Sequence, residues 1–130
     1  MPGEFMSLPR QNPRLWLAIC LLYPVLSVFP QEVIYRVFLF SQLSRVLPKF
    51  HQTRLIVTNA IVFGYAHVAF GNVWAPLVAT LAGLLFASTY QRTGSVICVA
   101  IEHALWGALI FTIGMGTIFG SGTVTNLLES

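Results

Sequence analysis

Five ionisable side chains stand inside the apolar stretches of this chain: Glu32, Arg36, His67, Glu102 and His103. A charged side chain at membrane depth costs roughly 2.5–3.5 kcal/mol on insertion scales, so such residues are rare and usually functional. Glu32 and Arg36 are spaced i, i+4 with the acid first, which puts them on one helix face in the favourable orientation. A carboxylate can act as general base on a water, and imidazoles can bind a metal or hydrogen-bond a developing oxyanion. Together they are the equipment for hydrolysis inside a membrane, given a polar pocket that admits water. Polar residues also join helices as structural glue, at about 0.6 kcal/mol for each interhelical hydrogen bond.

Their positions along the chain bear on that choice. Glu32 is 13 residues from Arg45, His67 is 13 from Arg54, and His103 is 11 from Arg92. At 1.5 Å per helical residue these are depths of about 20, 20 and 16 Å below a basic helix end. Three spans thus bring a carboxylate and two imidazoles to nearly one level. Asn59, Phe63 and His67 are four apart and form one stripe. Glu102 lies about 100° around its helix from His103 and faces elsewhere.

The elements that must position these residues are membrane spans. The chain has 130 residues, 56% hydrophobic and 8% charged, against about 25% charged in a soluble domain. No Lys, Arg, Asp or Glu occurs from Leu55 to Tyr90. Asn12 and Pro13 read as a helix start. Apolar residues then run to Val46 past Pro24 and Pro30, which should kink or break the helix. Whether this is one kinked span or two short pieces stays open. Further spans are expected from Arg54 to Phe70, Val73 to Tyr90 and Val96 to about Ile113. Links at 47–53 and 91–95 and a Gly71-Asn72 turn separate them. The predicted fold is all-α: a polytopic transmembrane bundle of about four spans, its motif-bearing helices converging on a polar intramembrane pocket. An irregular tail is expected over 1–12, the transmembrane domain over 13–118, and a second tail over 119–130.

The remaining features narrow the class. Arg45, Lys49, Arg54 and Arg92 fall on one side of such a bundle, which places the 47–53 and 91–95 links in the cytoplasm. A dispersed net charge of +3 gives no footprint for nucleic acid; the expected surroundings are the lipid bilayer. Cys20 and Cys98 have no CxxC spacing and read as small buried apolar residues. The apolar run after Arg14 lacks an A-x-A-like cleavage site and reads as a retained helix.

Gln31-Glu32-x-x-x-Arg36 resembles the EExxxR motif of the CAAX prenyl protease and bacteriocin-processing family of intramembrane proteases, also called CPBP or Abi. Phe63-x-x-x-His67 is similar to that family's FxxxH motif, and His103 sits where its HxxxN or HxxxD motif begins. The resemblance covers about residues 20–115. It implies a multi-pass integral membrane endopeptidase, in the plasma or inner membrane if the cell is bacterial, acting on a peptide or protein substrate. The best-known substrates are prenylated CAAX proteins. Carried over, Glu32, Arg36, His67 and His103 are the catalytic set, with Gln31, Asn59 and Phe63 supporting the pocket. His67 and His103 would form the oxyanion or metal site; no cofactor is certain, and a divalent ion such as zinc is left open.

Two positions depart from the family pattern. The first Glu of EExxxR, usually the one that activates the water, is Gln31 here, and an amide is no general base. Glu32 takes that role in an active enzyme. Gly107 stands four residues after His103, where Asn or Asp is usual, and removes a hydrogen-bonding group. The alternative is a catalytically degenerate membrane protein that binds a partner or peptide in the same pocket. A small transporter or proton relay built on Glu32, His67 and His103 is the third reading.

Overall fold

The computed structural model describes residues 5–49 and 51–119, and among these all regular structure is helical. Most of the expected second tail, 120–130, lies outside the described residues. A short helix α1, Ser7–Gln11, stands in the stretch expected to be irregular. Helix α2 then runs unbroken over Pro13–Val46. Asn12 caps it, its Oδ1 accepting from the Leu15 N–H at 3.0 Å, with Pro13 at the first helical position. The cap and proline occupy donors that the first turn would otherwise leave unpaired.

The two prolines leave the helix continuous but change its winding. Pro24 and Pro30 cannot donate to the carbonyls four residues back. Around and beyond them the helix is π-wound, over Pro24–Val28 and Val33–Leu39, with α-helical turns Phe29–Glu32 and Phe40–Val46 following. At the first of these the Phe29 N–H donates to the Pro24 carbonyl. Such π turns are rare and often mark functional sites. Here they flank Gln31-Glu32 and contain Arg36.

Helix α3 (Gln52–Ala66) tightens to a 3-10 turn over His67–Phe70. Gly71, at φ 74°, reverses the chain in the left-handed conformation that suits glycine. Helix α4 covers Trp74–Thr93, beyond the expected end at Tyr90, and closes at Gly94. Helix α5 covers Val96–Thr112 and leads to a 3-10 turn at Met115–Ile118. By length and composition α2 and the segment Gln52–Phe70 suffice to cross a membrane; Val96–Thr112 is a shorter apolar helix.

Helices α3 and α4 form the most extensive pair, and α5 packs on α4 and on the middle of α2. A Cβ at Gly83 would lie 3.1 Å from Ala60 Cα, so α3 and α4 approach backbone to backbone there. The core is built on Phe63, Ala79, Phe86 and Val99, with Phe40, Leu55 and Ala87 as a second cluster. Its polarity is inverted relative to a water-soluble protein. Glu32, Arg36, Asn59 and His103 are buried, while Leu21, Val25, Leu26, Leu81 and Leu105 are exposed. An exterior with this many exposed apolar side chains is suited to lipid. Cys98 is exposed on it and Cys20 half-buried, so burial is not what places these thiols.

Candidate functional site

Glu32 sits where α2 meets α5 and is 0% exposed. Its Oε1 accepts from His103 Nδ1 at 2.6 Å. Its Oε2 is 3.1 Å from Arg36 Nε, an ion contact one turn along α2 that lacks hydrogen-bond alignment. Arg36, also 0% exposed, donates from Nη1 to Asn59 Oδ1 at 2.8 Å. Asn59 Nδ2 in turn donates to the Tyr35 carbonyl at 2.6 Å, closing a loop between α2 and α3. The guanidinium carbon lies 4.7 Å from the Phe63 ring centroid and 5.8 Å from that of Phe86. A buried cation over two aromatic faces beside a carboxylate has its lost hydration partly replaced.

His67 is held by a local rearrangement. In an unbroken α-helix the Phe63 carbonyl would accept from the His67 backbone N–H. The switch to 3-10 winding turns that N–H onto Gly64, and the freed Phe63 carbonyl takes the imidazole Nδ1 at 2.7 Å. A carbonyl only accepts, so Nδ1 carries the proton and Nε2 is left with a lone pair. His103 has the same arrangement, with Nδ1 given to Glu32. Both imidazoles therefore keep Nε2 for whatever enters the site. His103 is fixed further by Phe86, stacked at 4.6 Å, and by Phe63, edge-on at 5.8 Å.

Both histidines line a partly open cavity of about 320 Å³ between α2, α3, α4 and α5. Its wall is mainly aromatic and aliphatic rather than polar. The polar side chains on it are Tyr23, Ser27, Gln31, His67 and His103. Gln31 faces the cavity, with Nε2 donating to Ser27 Oγ at 2.9 Å, while Glu32, the residue expected to act as base, does not line it. Glu32 meets the cavity only from behind His103. Arg36 and Asn59 stand a layer further back, and Phe63 forms part of the wall. Glu102 is off the cavity, with a buried Oε2 that lacks a hydrogen bond among the described residues.

The structure thus brings Glu32, Arg36, Asn59, Phe63, His67 and His103 into one cluster. Spacing alone did not find Tyr23, Ser27, Phe86 or Trp106, which complete the wall. Tyr23, Ser27 and Gln31 are four apart on α2, a signal that was readable but sits among apolar residues. As for a metal, among the described residues no three His, Cys, Asp or Glu side chains converge. Glu32 is committed to His103 and Arg36, which leaves two imidazoles. Zinc sites use at least three protein ligands, so the residues present do not fit one.

A family model described as type II CAAX prenyl endopeptidase Rce1-like matches residues 13–109. No curated protein and no solved structure matches the chain. The family match spans most of the sequence, and the chain belongs to the type II CAAX prenyl endopeptidase Rce1-like family, as the motif resemblance indicates. CAAX protease-type function and a place in the membrane follow at the family level.

Proposed function

We propose that the chain is a multi-pass intramembrane endopeptidase in which His103, oriented by Glu32, activates the attacking water. The observation that carries this reading is the 2.6 Å bond from His103 Nδ1 to a wholly buried Glu32. His103 reaches the cavity and Glu32 does not. A carboxylate behind an imidazole fixes its tautomer and stabilises the imidazolium formed when Nε2 takes a proton, the logic of the carboxylate–histidine pair in serine hydrolases. Arg36 holds the carboxylate in place, with Asn59 and Phe63 fixing Arg36.

The reaction then runs as follows. A water donates its proton to His103 Nε2 as its oxygen bonds to the peptide carbonyl carbon. The carbonyl π pair moves onto oxygen. The C–N bond breaks as His103 returns the proton to the departing amine. His67 Nε2, unprotonated, accepts from the same water or from the substrate amide. No step is routed through a metal, since among the described residues no three His, Cys, Asp or Glu side chains converge. The mainly apolar cavity favours a peptide with an apolar residue or chain beside the scissile bond, prenylated CAAX peptides among them.

One observation favours a second reading. Gln31 puts an amide on the cavity wall where the family motif has a carboxylate, which suits a protein that binds a peptide without cleaving it. Proteoliposome assays against a mixed peptide library, including prenylated CAAX peptides, separate the two. Cleavage by wild type that is lost in Glu32→Gln and His103→Ala is the expected result. An inert wild type beside an active Gln31→Glu variant would overturn the peptidase reading in favour of peptide binding.

A further inference from the structure

We infer that Tyr23 is a catalytic residue of this site, its phenol donating a hydrogen bond to the oxyanion that forms on the attacked peptide carbonyl. The inference rests on the peptidase reading above. It begins from the close fit between Tyr23 on α2 and Gly107 on α5. A Cβ at Gly107 would stand 2.6 Å from Tyr23 Oη and 2.8 Å from Tyr23 Cζ, well inside contact distance. The phenol therefore occupies the space that any larger residue at 107 would fill. Gly107 lies one turn beyond His103 on the same face of α5, so the hydroxyl is delivered beside the imidazole.

The ring is held on two sides. It meets Phe111 edge-on at 5.4 Å between centroids and His103 edge-on at 6.4 Å. Both residues and Tyr23 itself line the cavity. Tyrosine hydroxyls in apolar surroundings ordinarily find a partner. Tyr23 is half-buried, and its hydroxyl has no hydrogen bond among the described residues. On the same stripe of α2, Ser27 and Gln31 are hydrogen-bonded to each other. Tyr23 is thus the donor of this stripe left for a ligand, on a ring packed in advance against the proposed base. A preorganised donor of that kind in a water-poor site stabilises charge that develops only in the transition state. The hydroxyl keeps its proton throughout: it bonds to the oxyanion while the water proton travels through His103.

The test uses the full chain in proteoliposomes with the same peptide library. Tyr23→Phe retains the ring over Gly107 and removes the donor. It is expected to lower kcat roughly 10²- to 10³-fold, with KM and the thermal unfolding midpoint unchanged. Gly107→Asn alone is expected to abolish cleavage, because its side chain and the phenol claim one space. Tyr23→Ala combined with Gly107→Asn is expected to recover part of the lost kcat, the carboxamide donating from the vacated position. A Tyr23→Phe variant with wild-type kcat, or one that loses only KM, would overturn the assignment and leave the peptidase reading standing. A wild type inert towards every peptide would overturn both.

Discussion

Replacing Glu32 by Gln, Arg36 by Met, and both together separates what this charge pair does for folding from what it does for catalysis. Both side chains are wholly buried, and their ion contact is 3.1 Å. Arg36→Met strands the Glu32 carboxylate away from water, and removing one partner of a buried pair costs about 3–5 kcal/mol. Glu32→Gln strands the guanidinium instead. Asn59, 2.8 Å from Nη1, and the Phe63 ring at 4.7 Å still engage it, so this loss falls near the lower end, about 3 kcal/mol. The double variant buries a neutral pair of similar volume. Such replacements are often neutral or stabilising, so it should unfold within about 1 kcal/mol of wild type. The interaction term of the cycle is then about 5 kcal/mol or more, above the roughly 3 kcal/mol usual at the upper end for residues in contact. Activity should not follow stability. His103 in Glu32→Gln and in the double variant lacks its orienting carboxylate, and kcat should fall about 10⁴-fold, as when an amide replaces the triad carboxylate of a serine protease. Denaturant titration in mixed micelles, read beside peptide cleavage, measures both quantities. Additive single losses, or a double variant that is fully active, would refute the reasoning.

Two further outcomes follow from the same geometry. Treatment with 1,10-phenanthroline should leave peptide cleavage unchanged, because two imidazoles without a third ligand do not make a zinc site; loss of cleavage that zinc restores would show that a ligand had been overlooked. Gly83→Ala should destabilise the chain by about 1–3 kcal/mol through overpacking, since the new methyl meets Ala60 Cα and the Phe63 ring at 3.1 Å. An unaltered thermal midpoint would mean that α3 and α4 have room to spare there.

The helices were legible because their punctuation is chemical. Asn12-Pro13, Gly71-Asn72 and Gly94 lie at boundaries the structure uses, and the Asn12 cap forms as its residue type requires. Equal depth was informative too: Glu32 and His103, placed at similar levels by counting from arginines, meet at 2.6 Å. Counting does not say which way a side chain points. Gln31 and Glu32 are neighbours about 100° apart on a helix, and only one of them can face the cavity. That choice depends on the winding of α2, which the spacing of apolar residues does not encode. Tyr23 was illegible for another reason. A tyrosine in an apolar run looks like packing, and its significance lies in a contact with Gly107, distant in sequence. Phe86, stacked on His103 from α4, likewise has no signature short of the fold.

The winding of α2 accounts for how the site is partitioned. Val28, Glu32, Arg36 and Phe40 are all buried, each four residues from the last. On an ideal α-helix a four-residue step overshoots one turn by about 40°, so three steps would swing Phe40 about 120° away from Val28. Bonding from i to i+5 underwinds the helix and opposes that drift. The π turn at Val33–Leu39 falls within this stripe, and the one at Pro24–Val28 ends on its first residue. They let one face of α2 stay against α3 and α5 over all four residues, so that Glu32 reaches His103 while Arg36 reaches Asn59. The neighbouring stripe of Tyr23, Ser27 and Gln31 is kept together by the same underwinding and is left facing the cavity. Prolines that would weaken an ordinary span therefore stand in a helix with two distinct stripes, one carrying the charges and the next presenting neutral hydrogen-bonding groups to the cavity.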